Sequence, residues 1–372
     1  MSPVEVGGVS RRLPDFPWDA LVAYGDRARA HPDGIVDLSI GTPVDPTPDV
    51  ARESLAAAAD WPGYPTTIGL PATRQAALDW LSRRLGVDGL GLDSVLPVTG
   101  TKELIADLPL QLGVGPGDLV VHPALAYPTY EVGAALAGAR ALATDSLTAI
   151  GPERPKVLWL NSPSNPTGRI LPVEHLRKVV EWCRDRGTLL VSDECYIEMA
   201  WDAEPVSVLH PDVSGGSPEG ILAVHSLSKR SNLAGYRCGF VAGDPAVVGE
   251  LLAVRKNLGL QLPGPQQAVM VDVLADDAHV EEQRERYRSR RATLRTALEG
   301  AGFRIDDSQG SLYLWATRDE DCWATVGALA EQGILVAPGA FYGPAGAQHV
   351  RVAFTATDER VAEAASRLAR LS

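Results

Sequence analysis

Lys229 sits just behind two serines, in Ser226-Leu227-Ser228-Lys229-Arg230, and Arg237 follows eight residues later. A lysine amine can form a Schiff base with an aldehyde, while serine hydroxyls beside a forked guanidinium can hold a phosphate. A covalently held phosphate cofactor needs that set. A surface hairpin with solvated charges would look similar in isolation, but residue usage shifts the balance. The only lysines are Lys102, Lys156, Lys178, Lys229 and Lys256, so 29 of the 34 basic residues are arginine. A chain that otherwise uses arginine and puts a lysine after a buried strand needs an amine there.

Other stretches offer parts for the same site. Val98-Thr99-Gly100-Thr101-Lys102-Glu103 leads from a strand into a helix N-terminus, where unbonded N–H groups favour an anion. Most such turns bind nothing, but with Ser226 and Arg237 it makes the third wall of a phosphate cup. Asn161-Ser162-Pro163-Ser164-Asn165-Pro166-Thr167-Gly168 is a stiff loop that either presents the Asn165 amide or merely starts the next helix. Asp193 ends an apolar strand, where parallel sheets bind ligands. Facing a pyridine nitrogen, it would keep that nitrogen protonated. Tyr196 is placed to hydrogen-bond a ring phenolate, and Glu194 to serve structure. Tyr127 either stacks on a ring or belongs to the core. Arg351, amid alternating apolar residues, is solvent-facing, paired, or clamped on a substrate carboxylate. His225 reads as a strand residue with an ordinary hydrogen bond. No metal site or Ser-His-Asp set is visible.

These residues need a scaffold. Strand-like runs at Val95–Val98, Leu119–His122, Val157–Leu160, Leu189–Ser192, Ile221–Val224 and Cys238–Ala242 alternate with helical segments. That is the pattern of a largely parallel sheet with helical crossovers. The short loop between the last two strands predicts an antiparallel edge. A short strand at Ile35–Ile40 precedes a proline-rich loop, Gly41 to Pro48. Beyond Pro265 a long charged helix, Val280 to Leu298, leads to short strands and a final helix from Asp358. The expected fold class is α/β, a large domain with a mostly parallel mixed sheet plus a smaller α+β domain. The expected division is an arm and part of the small domain at 1–45, the large domain at 46–265 and the small C-terminal domain at 266–372.

Composition sets bounds. The chain has 372 residues, 45% hydrophobic and 22% charged, with a net charge of −13. This acidity argues against nucleic acid or an anionic membrane as partner. No apolar run approaches membrane-spanning length, no secretory pattern opens the chain, and the four cysteines are scattered. The expectation is a soluble, cytoplasmic protein.

Taken together, the Asn165-Pro166-Thr167-Gly168 loop, Asp193-x-x-Tyr196 28 residues after Asn165, Lys229 36 after Asp193 and Arg237 eight later resemble the class I/II aminotransferases. These are fold-type I enzymes that use pyridoxal 5′-phosphate (PLP). The resemblance runs from Gly41 to Arg351. It implies that Lys229 forms the Schiff base, Asp193 pairs with the pyridinium, and Tyr196 and Asn165 bond the ring oxygen O3′. Tyr127 would stack on the ring, with Gly100, Thr101, Lys102, Ser226, Ser228 and Arg237 around the phosphate. Arg351, with Asn165 and the Gly41 backbone, would take the substrate α-carboxylate. Tyr64 would reach the neighbouring subunit's phosphate, implying a homodimer with shared sites and small amino-acid and keto-acid substrates. In finer detail the motifs look most like the actinobacterial N-succinyldiaminopimelate aminotransferases of lysine and diaminopimelate biosynthesis. Such substrates carry a distal carboxylate, for which Arg230 and Arg74 are candidates. LL-diaminopimelate or aspartate amino transfer, and a PLP-dependent C–S lyase, are alternatives. A DNA-binding regulator of this fold is disfavoured by the acidic charge.

Overall fold

In the computed structural model, which describes residues 8–371, a seven-stranded sheet carries the large domain. Its hydrogen-bonded order is Val95–Val98, Gly239–Gly243, Ile221–Ser226, Leu189–Asp193, Val157–Asn161, Leu119–His122 and Arg140–Ala143. All strands are parallel except Gly239–Gly243, antiparallel to both its neighbours. The antiparallel strand is therefore not the edge expected from the sequence. Val95–Val98 pairs outside it and covers that edge. The opposite edge, Arg140–Ala143, was not expected at all; its two exposed end residues give it no apolar run.

Continuous apolar runs mark strands buried on both faces. Along Val157–Asn161, Leu158 and Leu160 enter the core beneath helices Pro71–Leu85 and Val173–Arg186. Val157 and Trp159 enter the opposite core with helices Thr101–Gln111 and Thr129–Ala137. This alternation is the period of two that a strand imposes. In the first core Trp80 packs edge-on against Phe240 at 5.9 Å. A helix not expected from the sequence, Gly264–Ala275, straddles residue 265 and contributes Val269, Met270 and Val273 to the same core.

A second, four-stranded antiparallel sheet carries the small domain, in the order Ala337–Pro338, His349–Ala353, Tyr313–Thr317, Arg304–Asp306. The long helix Ala278–Gly300 and the final helix Asp358–Leu368 cover it, and Cys322–Glu331 is a further helix not expected from the sequence. The N-terminal segment joins this domain, with Val36–Asp37 pairing parallel to Ile334–Leu335. The strand is shorter than Ile35–Ile40 because the Asp37 carboxylate accepts from both the Ser39 N–H (2.9 Å) and its hydroxyl (2.6 Å). That Asx turn ends the ladder. Residues 1–7 of the expected arm lie outside the described residues.

The loop from Gly41 to Pro48 is tied down from the long helix. Arg290 makes two 2.7 Å hydrogen bonds to the Asp45 carboxylate and a third, of 2.6 Å, to Asp358. Arg290 is 3% exposed, so this forked, charge-assisted pair holds the loop at fixed height over the sheet.

Candidate active site

Register brings the chemistry together. Asn161 and Asp193 are direct partners at the ends of adjacent parallel strands, and Asp193 pairs in turn with Val224. Ser226 and Val98 both pair with Gly239. Three parallel strands and the turn after a fourth therefore deliver Asn161, Asp193, Ser226 and Gly100 to one rim, the carboxyl end where open α/β sheets bind ligands. There Asn161, Asp193 and Ser226, with Thr101 just after Gly100, line a cavity of ≈ 530 Å³.

One end of the cavity is an anion cup. The helix Thr101–Gln111 begins at this end, and its first N–H groups have no intrahelical partner. Arg237, held at φ 57°, donates to the Ala234 carbonyl at 2.9 Å and has no carboxylate partner among the described residues. Gly100 (φ 86°) must lack a side chain, because a Cβ would overlap the Arg237 guanidinium. Ser226 accepts from the Ser228 N–H at 3.2 Å, and the Ser228 side chain lines the cavity. Lys102, expected around the phosphate, is the second residue of that helix and lines the cavity. Its Nζ lies 5.7 Å from the Phe16 ring centroid.

The floor is acidic. Asp193 is buried, and its carboxylate accepts from the Tyr130 hydroxyl at 2.8 Å and the Cys195 N–H at 3.1 Å. Burial pushes its pKa up, and the bonds from Cys195 and Tyr130 pull it back. Tyr130 is itself fixed by stacking on Trp159, centroids 5.0 Å apart, and meets Tyr127 edge-on at 5.9 Å. Tyr127 lines the cavity wall. The Lys229 Nζ faces the same space and donates to the Gly41 carbonyl. Burial, aided by Arg351 and Arg237, pushes its ammonium below the usual lysine range, which favours the neutral amine a nucleophile needs.

The far end is a buried cation. Arg351 is 3% exposed; it donates to Asn165 Oδ1 at 2.8 Å and to the Ser39 carbonyl at 2.6 Å. Its Nε has no partner, and no carboxylate pairs with it among the described residues. A buried guanidinium satisfied only by neutral groups is costly unless an anion completes it. Tyr196 reaches the cavity and meets the Tyr313 hydroxyl at 3.0 Å.

Several expectations change. Arg230 and Arg74 do not line the cavity. Arg230 is buried against the Glu198 carboxylate and the Val273 carbonyl, and Arg74 donates to the Leu92 carbonyl. His225 lacks the expected hydrogen bond: neither ring nitrogen has a partner, and the nearest group is the Glu194 carboxylate at 3.6 Å. Burial drives the pair toward neutrality, the imidazole to about 3 and the carboxyl up to about 7. Glu194 is structural, as expected, accepting from the Val208 N–H at 2.7 Å. Its folded pKa lies above the ordinary 4.5, so the folded state binds more protons between those values, and this group's contribution to stability falls as pH rises through 7. Glu194→Gln removes that slope. Thermal unfolding should show wild type losing stability relative to the variant as pH rises from about 4.5 to about 7, on the order of 3 kcal/mol, and no further loss above that.

Tyr313, Tyr130, Phe16 and Trp18 were missed as site residues. Helical periodicity could not have found Tyr130, because Tyr127 lies before the helix Thr129–Ala137 that carries it.

Comparison with known proteins gives the site its context. The sequence model for "Aminotransferase class I and II" matches residues 33–368. The chain belongs to that family. The 4-dedimethylamino-4-oxo-anhydrotetracycline transaminase of Streptomyces rimosus is 63% identical over 96% of this chain and 99% of its own. A probable aminotransferase of Mycobacterium tuberculosis is also 63% identical, over 97% of this chain and 87% of its own. Among solved structures, a probable N-succinyldiaminopimelate aminotransferase of Thermus thermophilus superposes with a TM-score of 0.86 at 28% identity, covering 96% of this chain and all of that one. This aminotransferase is PLP-dependent. The residues fit that cofactor: an anion cup closed by Gly100 and Arg237, a buried acid for the pyridine nitrogen, and an amine with a lowered pKa. No helix among the described residues is long and apolar enough to cross a membrane.

Proposed function

We propose that the enzyme transfers an amino group between N-succinyl-LL-2,6-diaminopimelate and 2-oxoglutarate, giving N-succinyl-2-amino-6-oxopimelate and glutamate, in cytoplasmic lysine and diaminopimelate biosynthesis. The observation that carries an α-carboxylate substrate is Arg351, a buried guanidinium without an acid partner. In this reading Arg351 and the Asn165 side chain seat the α-carboxylate beside the Gly41 backbone, as a forked cation does. PLP, when bound, supplies an electron-withdrawing ring. Gly100, Thr101, Lys102, Ser226, Ser228 and Arg237 hold its phosphate, and Tyr127 packs on its face. Asp193 holds a proton on its ring nitrogen, and Tyr196 and Asn165 bond its phenolic oxygen. Lys229 Nζ takes the proton from the substrate Cα as base and returns it as acid.

The distal half of a long substrate would lie along Phe16, Trp18, Ile40 and Ile105, with its carboxylate toward the Lys102 ammonium, while the backbone N–H of Lys102 serves the phosphate. Lys102 replaces Arg230 and Arg74 as the distal cation. Tyr64, 97% exposed, supports a homodimer in which that ring reaches the partner's phosphate cup. The same apolar wall favours a second reading, amination of a bulky carbocyclic ketone, the kind of substrate named for the Streptomyces rimosus relative.

A panel of amino donors assayed with 2-oxoglutarate tests both. N-succinyl-LL-diaminopimelate should exceed LL-diaminopimelate and aspartate in kcat/KM by at least about tenfold, the worth of one well-placed ion pair. Comparable values for all three would sink the assignment. Keto-acid release without 2-oxoglutarate would point to a lyase instead.

A further inference from the structure

Tyr313 belongs to none of the sequence motifs, yet it touches three parts of the site. It opens the small-domain strand Tyr313–Thr317, pairing with Ala353, while Trp315 pairs with Arg351. Tyr313 and Arg351 are thus diagonal neighbours on one face of that sheet. The Arg351 Cζ lies 3.9 Å from the Tyr313 ring centroid, a close cation–π contact in a desolvated setting.

The other end of the side chain is equally fixed. Its hydroxyl lies 3.0 Å from that of Tyr196, and a Cβ on Gly41 would occupy the place of the Tyr313 hydroxyl and ring edge. Tyr313 is 3% exposed and lines the cavity. Burial pushes the pKa of both phenols up, but Arg351 and Lys229 outweigh it at Tyr313, which falls below the usual range. Tyr196 is pushed well above it, by burial first and by Tyr313 next. The Arg351 guanidinium, 3.9 Å from the Tyr313 ring centroid, draws charge from that phenol and makes its hydroxyl the better donor of the two.

We propose that Tyr313 is a positioning residue for the reaction: its hydroxyl donates to Tyr196, freeing the Tyr196 proton to point at the phenolic oxygen of PLP and strengthening that donor. Hydrogen bonds in a chain polarise one another, so the second gains from the first. The bond joins the small domain to the large one, so this strengthening requires the two to be apposed. The inference rests on Tyr196 serving that oxygen, as in the function proposed above.

A donor on the phenolic oxygen competes with the proton on the neighbouring nitrogen for the same lone pairs. A stronger donor therefore lowers the pH at which the bound cofactor's visible band changes. The test is a pH titration of that band in PLP-loaded wild type, Tyr313→Phe and Gly41→Ala. Phenylalanine keeps the ring beneath Arg351 and removes only the hydroxyl; alanine at 41 displaces that hydroxyl. Both midpoints should rise by about 0.5–1 pH unit, the worth of one buried hydrogen bond. The Tyr313→Phe KM for the keto acid should stay within about twofold of wild type. An unshifted midpoint in Tyr313→Phe, with or without a lower melting temperature, overturns the proposal by making Tyr313 only a packing residue. A lowered midpoint overturns it by making Tyr313 the acceptor. A wild-type enzyme without a visible band would instead refute the site assignment, and the inference with it.

Discussion

Lys229→Ala should lose the visible band of the loaded enzyme and about four orders of magnitude in turnover, because in the proposed function one amine serves as both nucleophile and proton carrier. Two features make the loss specific. The Lys229 amine is the group whose ammonium burial destabilises, and it is held beside the Gly41 carbonyl within the cavity. Lys102, the other lysine lining the cavity, has its ammonium over Phe16 instead. It cannot stand in. Spectra of wild type and variant after PLP reconstitution, with single-turnover rates, check both parts. A variant that kept its turnover would show that the nucleophile is elsewhere. The cup of Arg237, Ser226, Ser228 and the helix N-terminus is untouched by the change, so the variant should still bind PLP without the covalent link.

Asp193→Asn should retain PLP and its visible band yet lose about 10²–10³-fold in kcat, typical of removing one preorganised electrostatic partner. Asparagine has the shape to accept from the Cys195 N–H or the Tyr130 hydroxyl, so the floor keeps most of its packing. What it lacks is the negative charge that, in the proposed function, holds a proton on the ring nitrogen. Near-normal kcat in this variant would mean that the Asp193 charge does not keep that nitrogen protonated. Tyr130→Phe separates charge from orientation, because it leaves the carboxylate but removes the bond that aims one of its oxygens. Its loss should be smaller, about tenfold, in line with one hydrogen bond to a charged group.

The groups legible in the sequence were those at strand ends. Asn161, Asp193 and Ser226 each follow an apolar run long enough to mark a buried strand, and parallel pairing sets their order along the rim. The antiparallel strand was also legible, but not its place. Nothing local to Val95–Val98 says that it pairs outside Gly239–Gly243, since a non-local partner leaves no mark on a short apolar run. Arg230 shows a different limit. Beside Lys229 in sequence, it looked like a cavity residue, but successive residues in a helical turn point about 100° apart. The lysine faces the cavity and the arginine faces Glu198. Tyr313 was invisible for the opposite reason. Its strand is buried on every residue, and a core tyrosine is the ordinary occupant of such a run.

The levelled strand ends have a consequence for redesign. Because Asn161, Asp193 and Val224 share one hydrogen-bonded row, deleting a residue inside any of those three strands would reverse its side chains between the two cores and turn its terminal group out of the cavity. The turns at the opposite rim, such as Gly187-Thr188 and Gly215-Gly216, carry no site residue and lie at a distance from the chemistry set by strand length. Sensor domains, affinity handles or new chain termini grafted there should leave turnover intact, whereas the same insertions after residue 161 or 193 should silence it.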